Sequence, residues 1–271
     1  RRSLLWMKSH VEGMRALNYY IAYCIDMEHI ATDEEEKAKM KGIVELLTPS
    51  SKAYCSDKAV EICSLGIDVF GGYGYCCEYP MEQYLRDVKI ATIYEGTNYI
   101  QSLDLVGRKL GQRKGQNLMN LFGEIAATIG KAKGREALKP YAELLEGAMG
   151  MIGDLTMNFA KWGKSMDYVI PVMNARPFLM MMGDLVIGWK LLDAAGIASE
   201  KLDAIYGNAG IDPSQRSAFA RDNAEAAFYQ GKVASCKYFA SNVLPTIEGR
   251  CKAVKQADKT PVEIADESFA V

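Results

Sequence analysis

The sequence predicts an all-α protein built from two helical units, and three observations carry that prediction. Only eight prolines occur in 271 residues, and residues 1–48 and 81–139 contain none, so long helices meet no breaker there. Apolar residues recur at steps of three and four along most of the chain, and no period-two alternation of useful length appears. A polar, glycine-bearing stretch, Gly107 to Gly115, interrupts the pattern. The expected units are therefore residues 1–113 and 114–271.

Each element has its own signal. Val11, Met14, Leu17, Ile21 and Ile25 form one apolar stripe of a first helix. Asp33 with Glu36 fits a capping box that opens the next. Met40, Ile43 and Leu47 continue a stripe that Pro49 should kink or restart. Ala59, Ile62 and Cys63 resume it, and Gly71-Gly72 stops it. Glu82 to Arg108 reads as helical, with a break near Glu95-Gly96-Thr97, and Thr97 can cap the helix beyond the break. Further helical patterns run through Tyr141 to Trp162 and Phe178 to Ala195. Asp212-Pro213-Ser214-Gln215 opens a helix running toward Asn242, and Pro245 ends it. The tail, Gln256 to Val271, has no sustained periodicity and is expected to be mobile.

Composition removes several functional classes. Lys+Arg 32 against Asp+Glu 34 gives a net charge of −2, which offers nothing to nucleic acid or an anionic membrane. The most apolar region, Tyr168 to Leu192, is interrupted by Asn174, Arg176, Asp184 and Lys190, so no transmembrane span is expected. Seven cysteines contain no C-x-x-C pair. With two histidines they make no zinc pattern, and no metal site is expected. The odd count reads as reduced, mostly buried thiols in a cytoplasmic protein. His10 and His29 read as surface or capping residues. Asp33 to Glu36 reads as a solvated helix start. Met180-Met181-Met182, with Met173 and Phe178, reads as helix core rather than the wall of an acyl channel.

Chemistry concentrates between residues 68 and 101. Asp68 precedes Gly71-Gly72-Tyr73-Gly74-Tyr75; Arg86-Asp87 comes next; then Ile93-Tyr94-Glu95-Gly96-Thr97-Asn98-Tyr99-Ile100-Gln101. Taken singly, these are a helix stop, a surface ion pair and a helix-flanking carboxylate. In this order and spacing they closely resemble the signature of the acyl-CoA dehydrogenase flavoproteins. Residues 1–67 are similar to part of that family's C-terminal helical bundle. Residues after 115 are similar to the additional helical domain of its longer members, most recognisably at Tyr229-x-Gly231-Lys232 and Asn242 to Pro245.

The resemblance implies roles position by position. Glu95 corresponds to the catalytic base that takes the α-proton of an acyl-CoA thioester while a hydride leaves the β-carbon for FAD. A weakly acidic proton needs a close carboxylate, and desolvation makes that carboxylate a stronger base. Tyr94 and Gly96 fall at substrate-facing positions. The Glu95 backbone N–H corresponds to a donor for the thioester oxygen, and Gly96 leaves room for its approach. Thr97 and Tyr99 correspond to flavin-lining positions, although a helix cap and an aromatic core residue remain open for them. Gly71 and Gly72 correspond to a turn approaching the ADP part of FAD across a subunit interface. Asp68 departs from the family's usual glutamine. A carboxylate repels a pyrophosphate but can accept from a ribose hydroxyl, or turn away.

The resemblance further implies an electron-transfer flavoprotein as electron acceptor and a homodimer or homotetramer. The chain begins Arg1-Arg2-Ser3 without Met and shows no β-domain. It is expected to be the latter part of a longer enzyme, inactive alone, with apolar faces exposed on its first helices. A related flavin oxidase and a noncatalytic oligomerisation module on the same scaffold are the competing expectations.

Overall fold

The computed structural model describes residues 1–270; Val271, the last residue of the tail, lies outside them. Helix α1 (Arg2–Ile30) and helix α2 (Glu34–Phe70) pack along each other. The buried line of α1 runs through Ser9, His10, Gly13, Met14, Leu17 and Cys24, whereas Val11 and Ile25 face outward. The predicted stripe is thus partly rotated. The inner face accepts small and polar residues because α1 is crossed closely there, and outside it Leu4, Tyr19, Tyr23 and Ile30 stay exposed.

Asp33 caps α2 by accepting the Glu35 amide at 3.1 Å, and among the described residues Glu36 makes no reciprocal bond. Helix α2 runs through Pro49 without a restart. Leu46, Leu47, Ser50, Ala53 and Tyr54 on either side are buried, so tertiary packing outweighs the lost backbone bond. Next come a tight 3₁₀ turn (Gly71–Tyr75), helix α3 (Met81–Lys89) and short helix α4 (Asn98–Asp104). A π-helical turn (Leu105–Lys109) extends α4, and then Arg113, Lys114 and Gly115 turn the chain in left-handed conformations.

Helices α5 (Gln116–Lys133) and α6 (Lys139–Trp162) pack together, and short α7 (Val169–Met173) leads into α8 (Ala175–Asn208). From Phe178 to Leu192, helix α8 is apolar around most of its circumference, which demands burial on all sides. It touches α1, α2 and α4 from before residue 113 and α5, α6 and α10 (Ala224–Asn242) from after it. A single buried cluster therefore runs from Met14 to Val254. Phe178, Met181 and Met182 lie in it completely buried. Two glycines set the crossings. A Cβ on Gly13 would lie 2.3 Å from Ile187, and one on Gly183 would lie 2.1 Å from Tyr54. Beside Gly183, buried Asp184 accepts from the Tyr54 hydroxyl at 2.7 Å and pairs with Arg250.

The helix expected over 212–242 is two helices. Helix α9 (Arg216–Asp222) ends at Asn223, whose side chain accepts the Ala226 amide at 2.9 Å and caps α10. Asn223 is thus a second N-cap inside what periodicity reads as one helix. Asp212 makes no side-chain cap. Pro245 precedes α11 (Thr246–Lys255), and the tail contains the short helix α12 (Thr260–Glu263), with Lys259 paired to Asp167 at 2.6 Å.

His10 is not a surface residue. It is 1% exposed, and its Nδ1–H donates to the Trp6 carbonyl at 2.8 Å. Burial pushes its pKa down to about 4. The seven cysteines are free, but Cys76 and Cys77 are exposed, in the open loop after the glycine turn. Burial raises the thiols of Cys55 and Cys236 to about 12, which keeps them unreactive. Among the described residues there is no strand and no helix long and apolar enough to cross a membrane.

Candidate active site

The glycine turn is built by the end of α2. Gly71 closes the helix at φ 65 with its N–H on the Asp68 carbonyl, a conformation that favours glycine. Gly74 is required by space: its Cβ would lie 2.5 Å from the Ile67 carbonyl. Around Gly71 and Gly72 the opposite holds, with no atom within 4 Å of an added Cβ. The backbone there is bare and solvent-facing, and Asp68 is exposed beside it. Arg86 and Asp87 do not pair with each other. Neighbours in a helix point apart, and Asp87 instead accepts from Gln83 at 3.4 Å.

The second part of the site is the turn before α4. Glu95 has φ 53 and Gly96 φ 83, so two successive residues are left-handed. That costs about 1 kcal/mol for a residue with a side chain, and such outliers cluster at functional sites. Thr97 then caps α4, its hydroxyl oxygen accepting the Ile100 amide at 3.3 Å. The Glu95 carboxylate, Tyr94, Thr97 and Tyr99 are all exposed, and Glu95 accepts no hydrogen bond among the described residues. The Tyr99 hydroxyl donates to the Val172 carbonyl on α7 at 3.3 Å. Tyr99 is therefore not a core residue.

Polar contacts hold this turn from behind. Lys52 on α2 donates to the Gly96 carbonyl at 2.7 Å and to Asn98 Oδ1 at 2.8 Å. Asn98 is 5% exposed, and its amide group donates to Asp57 at 2.9 Å and to Ser56 at 2.8 Å. Arg176, at the start of α8, donates to the other oxygen of Asp57 at 2.9 Å. Partial burial lowers the Lys52 pKa, opposed by the carboxylates of Asp57 and Glu95.

The structure thus gathers Tyr94, Glu95, Gly96, Thr97 and Tyr99 on one turn. It places Asp68, Gly71 and Gly72 elsewhere: from Lys52 to Asp68 is about 24 Å along α2 at 1.5 Å per residue. Lys52, Asp57, Asn98 and Arg176 were not predicted. Asn98 lies inside the recognised motif, and its side chain faces inward. The others carry no local pattern, and Arg176 meets Asp57 across 119 residues. No group of three or more metal-ligating side chains converges among the described residues.

The fold and sequence have known counterparts. Residues 1–111 match the family model for the acyl-CoA dehydrogenase C-terminal domain, and residues 121–265 match that for an acetyl-CoA dehydrogenase C-terminal-like domain. A butyryl-CoA dehydrogenase of Syntrophomonas wolfei is 34% identical over 269 residues, covering 99% of this chain and 42% of the relative. The chain thus spans less than half the length of that protein. Among solved structures, Caenorhabditis elegans ACDH-11 in complex with C11-CoA superposes with a TM-score of 0.70 at 20% identity, covering 99% of this chain and 40% of that one. An acyl-CoA dehydrogenase from Bacillus anthracis complexed with FAD gives 0.65 at 18%, covering 98% and 42%. At such identities the structures establish the shared fold, while the family models reach across nearly the whole sequence: the chain belongs to the acyl-CoA dehydrogenase family.

Proposed function

We propose that this chain is the C-terminal part of a cytoplasmic, FAD-dependent acyl-CoA dehydrogenase, and that Glu95 is its catalytic base. The reaction is α,β-dehydrogenation of an acyl-CoA thioester to the 2-enoyl-CoA. The observation that carries the reading is the left-handed Glu95-Gly96 pair, which presents an unpaired carboxylate from a turn fixed by Lys52 and Thr97. The Glu95 carboxylate takes the proton from the α-carbon. Its backbone N–H donates to the thioester oxygen as negative charge develops there. Gly96 keeps side-chain bulk away from the thioester, and Tyr94 flanks it.

The residues present fit the cofactor. Bare backbone at Gly71 and Gly72 leaves room for the ADP portion, and the exposed Asp68 carboxylate suits a ribose hydroxyl. The Thr97 hydroxyl accepts from Ile100 and keeps its own proton to donate, and Tyr99 stands beside it. When bound, FAD supplies the acceptor for the hydride leaving the β-carbon. The separation of the glycine turn, at the end of α2, from the Glu95 turn, tied to α2 at Lys52, suits two different FAD sites in a homodimer or homotetramer. The expected electron acceptor is an electron-transfer flavoprotein.

The test is the full-length protein carrying Glu95→Gln, mixed anaerobically with acyl-CoA. Flavin bleaching is expected to slow by about 10³-fold with FAD content unchanged, within the range for loss of a general base. Bleaching at the wild-type rate overturns the assignment.

A further inference from the structure

We propose that Lys52 and Arg176 are positioning residues for the base, and that the second helical unit acts on the site through Arg176. This rests on the reading of Glu95 as the base. The contacts form one chain. Arg176 Nη2 donates to Asp57 Oδ2 at 2.9 Å, and Asp57 Oδ1 accepts from Asn98 Nδ2 at 2.9 Å. Asn98 Oδ1 accepts from Lys52 Nζ at 2.8 Å, and Lys52 Nζ also donates to the Gly96 carbonyl at 2.7 Å. Charge leaves Asn98 one orientation, because only its oxygen can face an ammonium group and only its NH₂ can face a carboxylate. Asn98 is buried and begins α4, so its position and that of Gly96 are set together.

Gly96 is the residue after Glu95, and both are left-handed. Displacement of the backbone at Gly96 would carry the adjoining Glu95, its carboxylate and its N–H, with it. Lys52 opposes that displacement by holding the Gly96 carbonyl. Arg176 acts one step back, by fixing the Asp57 carboxylate against which Asn98 is held. Two features set this apart from ordinary surface pairing. Arg176 is half-exposed, so its ion pair adds little stability, yet it meets the one carboxylate that orients a buried amide. Four residues earlier, the Val172 carbonyl accepts the Tyr99 hydroxyl, so the segment around α7 reaches α4 directly at Tyr99 and, through Asp57 on α2, indirectly at Asn98.

The full-length enzyme tests this with Lys52→Met, Lys52→Arg, Arg176→Gln and Glu95→Gln. A misplaced base slows chemistry more than binding. Lys52→Met is expected to slow flavin bleaching by about 30-fold, with acyl-CoA KM within about twofold. The isotope effect from α-deuterated substrate should rise, and Lys52→Arg should recover most of the rate. Arg176→Gln should slow bleaching by about fivefold in the same pattern. Amide hydrogen exchange across residues 96–101 should speed up in Lys52→Met, with α5 and α6 unchanged.

Wild-type rate, isotope effect and exchange in Lys52→Met overturn the proposal. Faster exchange throughout the protein overturns it too, by showing a general loss of stability. An Arg176→Gln enzyme indistinguishable from wild type removes the second unit from the mechanism. Wild-type bleaching in Glu95→Gln overturns the base assignment and with it positioning for catalysis, while exchange decides whether Lys52 and Arg176 hold the turn.

Discussion

Helix α8 and the segment from Phe70 to Ile100 are both largely helical, but they are ordered by different forces. Eighteen of the 34 residues of α8 are buried, and it is enclosed by helices from both halves of the sequence. Between Phe70 and Ile100 only Gly74, Thr92 and Asn98 are buried, while Tyr73, Tyr75, Tyr84, Ile93 and Tyr94 stand in solvent. Apolar burial fixes the first region. A few directed polar contacts from Lys52, Asn98 and Thr97 fix the second. Stability and site geometry are therefore borne by different residues, so a change can damage either one while sparing the other.

Substitutions can sharpen that contrast. Gly183→Val drives a branched side chain into the Tyr54 ring and should cost about 3 kcal/mol; a denaturation midpoint unchanged from wild type breaks the account of the α2–α8 crossing. Next in size is the buried imidazole. His10 has its folded pKa lowered from 6.5 to about 4, so the unfolded chain binds the proton more readily. Stability is then full above the unfolded value and is lost as pH falls toward 4. The loss from about pH 7 to about pH 5 should be about 2 kcal/mol. Chemical denaturation across that range reads it, and His10→Leu should flatten the slope; an equal slope in both proteins places the titration elsewhere. The smallest effect belongs to the exposed segment. Tyr75→Ser, at a residue 81% exposed, should change stability by about 0.5 kcal/mol or less. A loss comparable to Gly183→Val contradicts the division.

The same contrast explains what was legible from sequence. Helices in well-packed regions announce themselves by spacing: α6 lies where Tyr141 to Trp162 places it, and α8 contains the expected Phe178 to Ala195 but runs on to Asn208, where its residues are mostly exposed. Spacing fails where burial is not apolar. Ser9, His10 and Gly13 lie on the inner face of α1, and no hydrophobic stripe reports a histidine or a glycine. It fails again at Pro49, where neighbours buried on both sides carry the helix through, and at Asn223, a cap inside what reads as one helix. In the site, Glu95 and Thr97 stand within a dense local motif. Lys52 and Arg176 work through partners 44 and 119 residues away, and only folding brings those together.

The central placement of α8 also has a consequence for biosynthesis. Ile187 and Gly183, which close against Gly13 and Tyr54, are synthesised well over a hundred residues after them. At about 5–20 residues per second, α1 and α2 wait on the order of ten seconds for the helix that completes their core. During that interval Met14, Leu17, Leu46 and Leu47 have no full cover. Nascent chains arrested before residue 208 are therefore expected to be held by chaperones and open to proteolysis, and release past α8 to be the point at which both end.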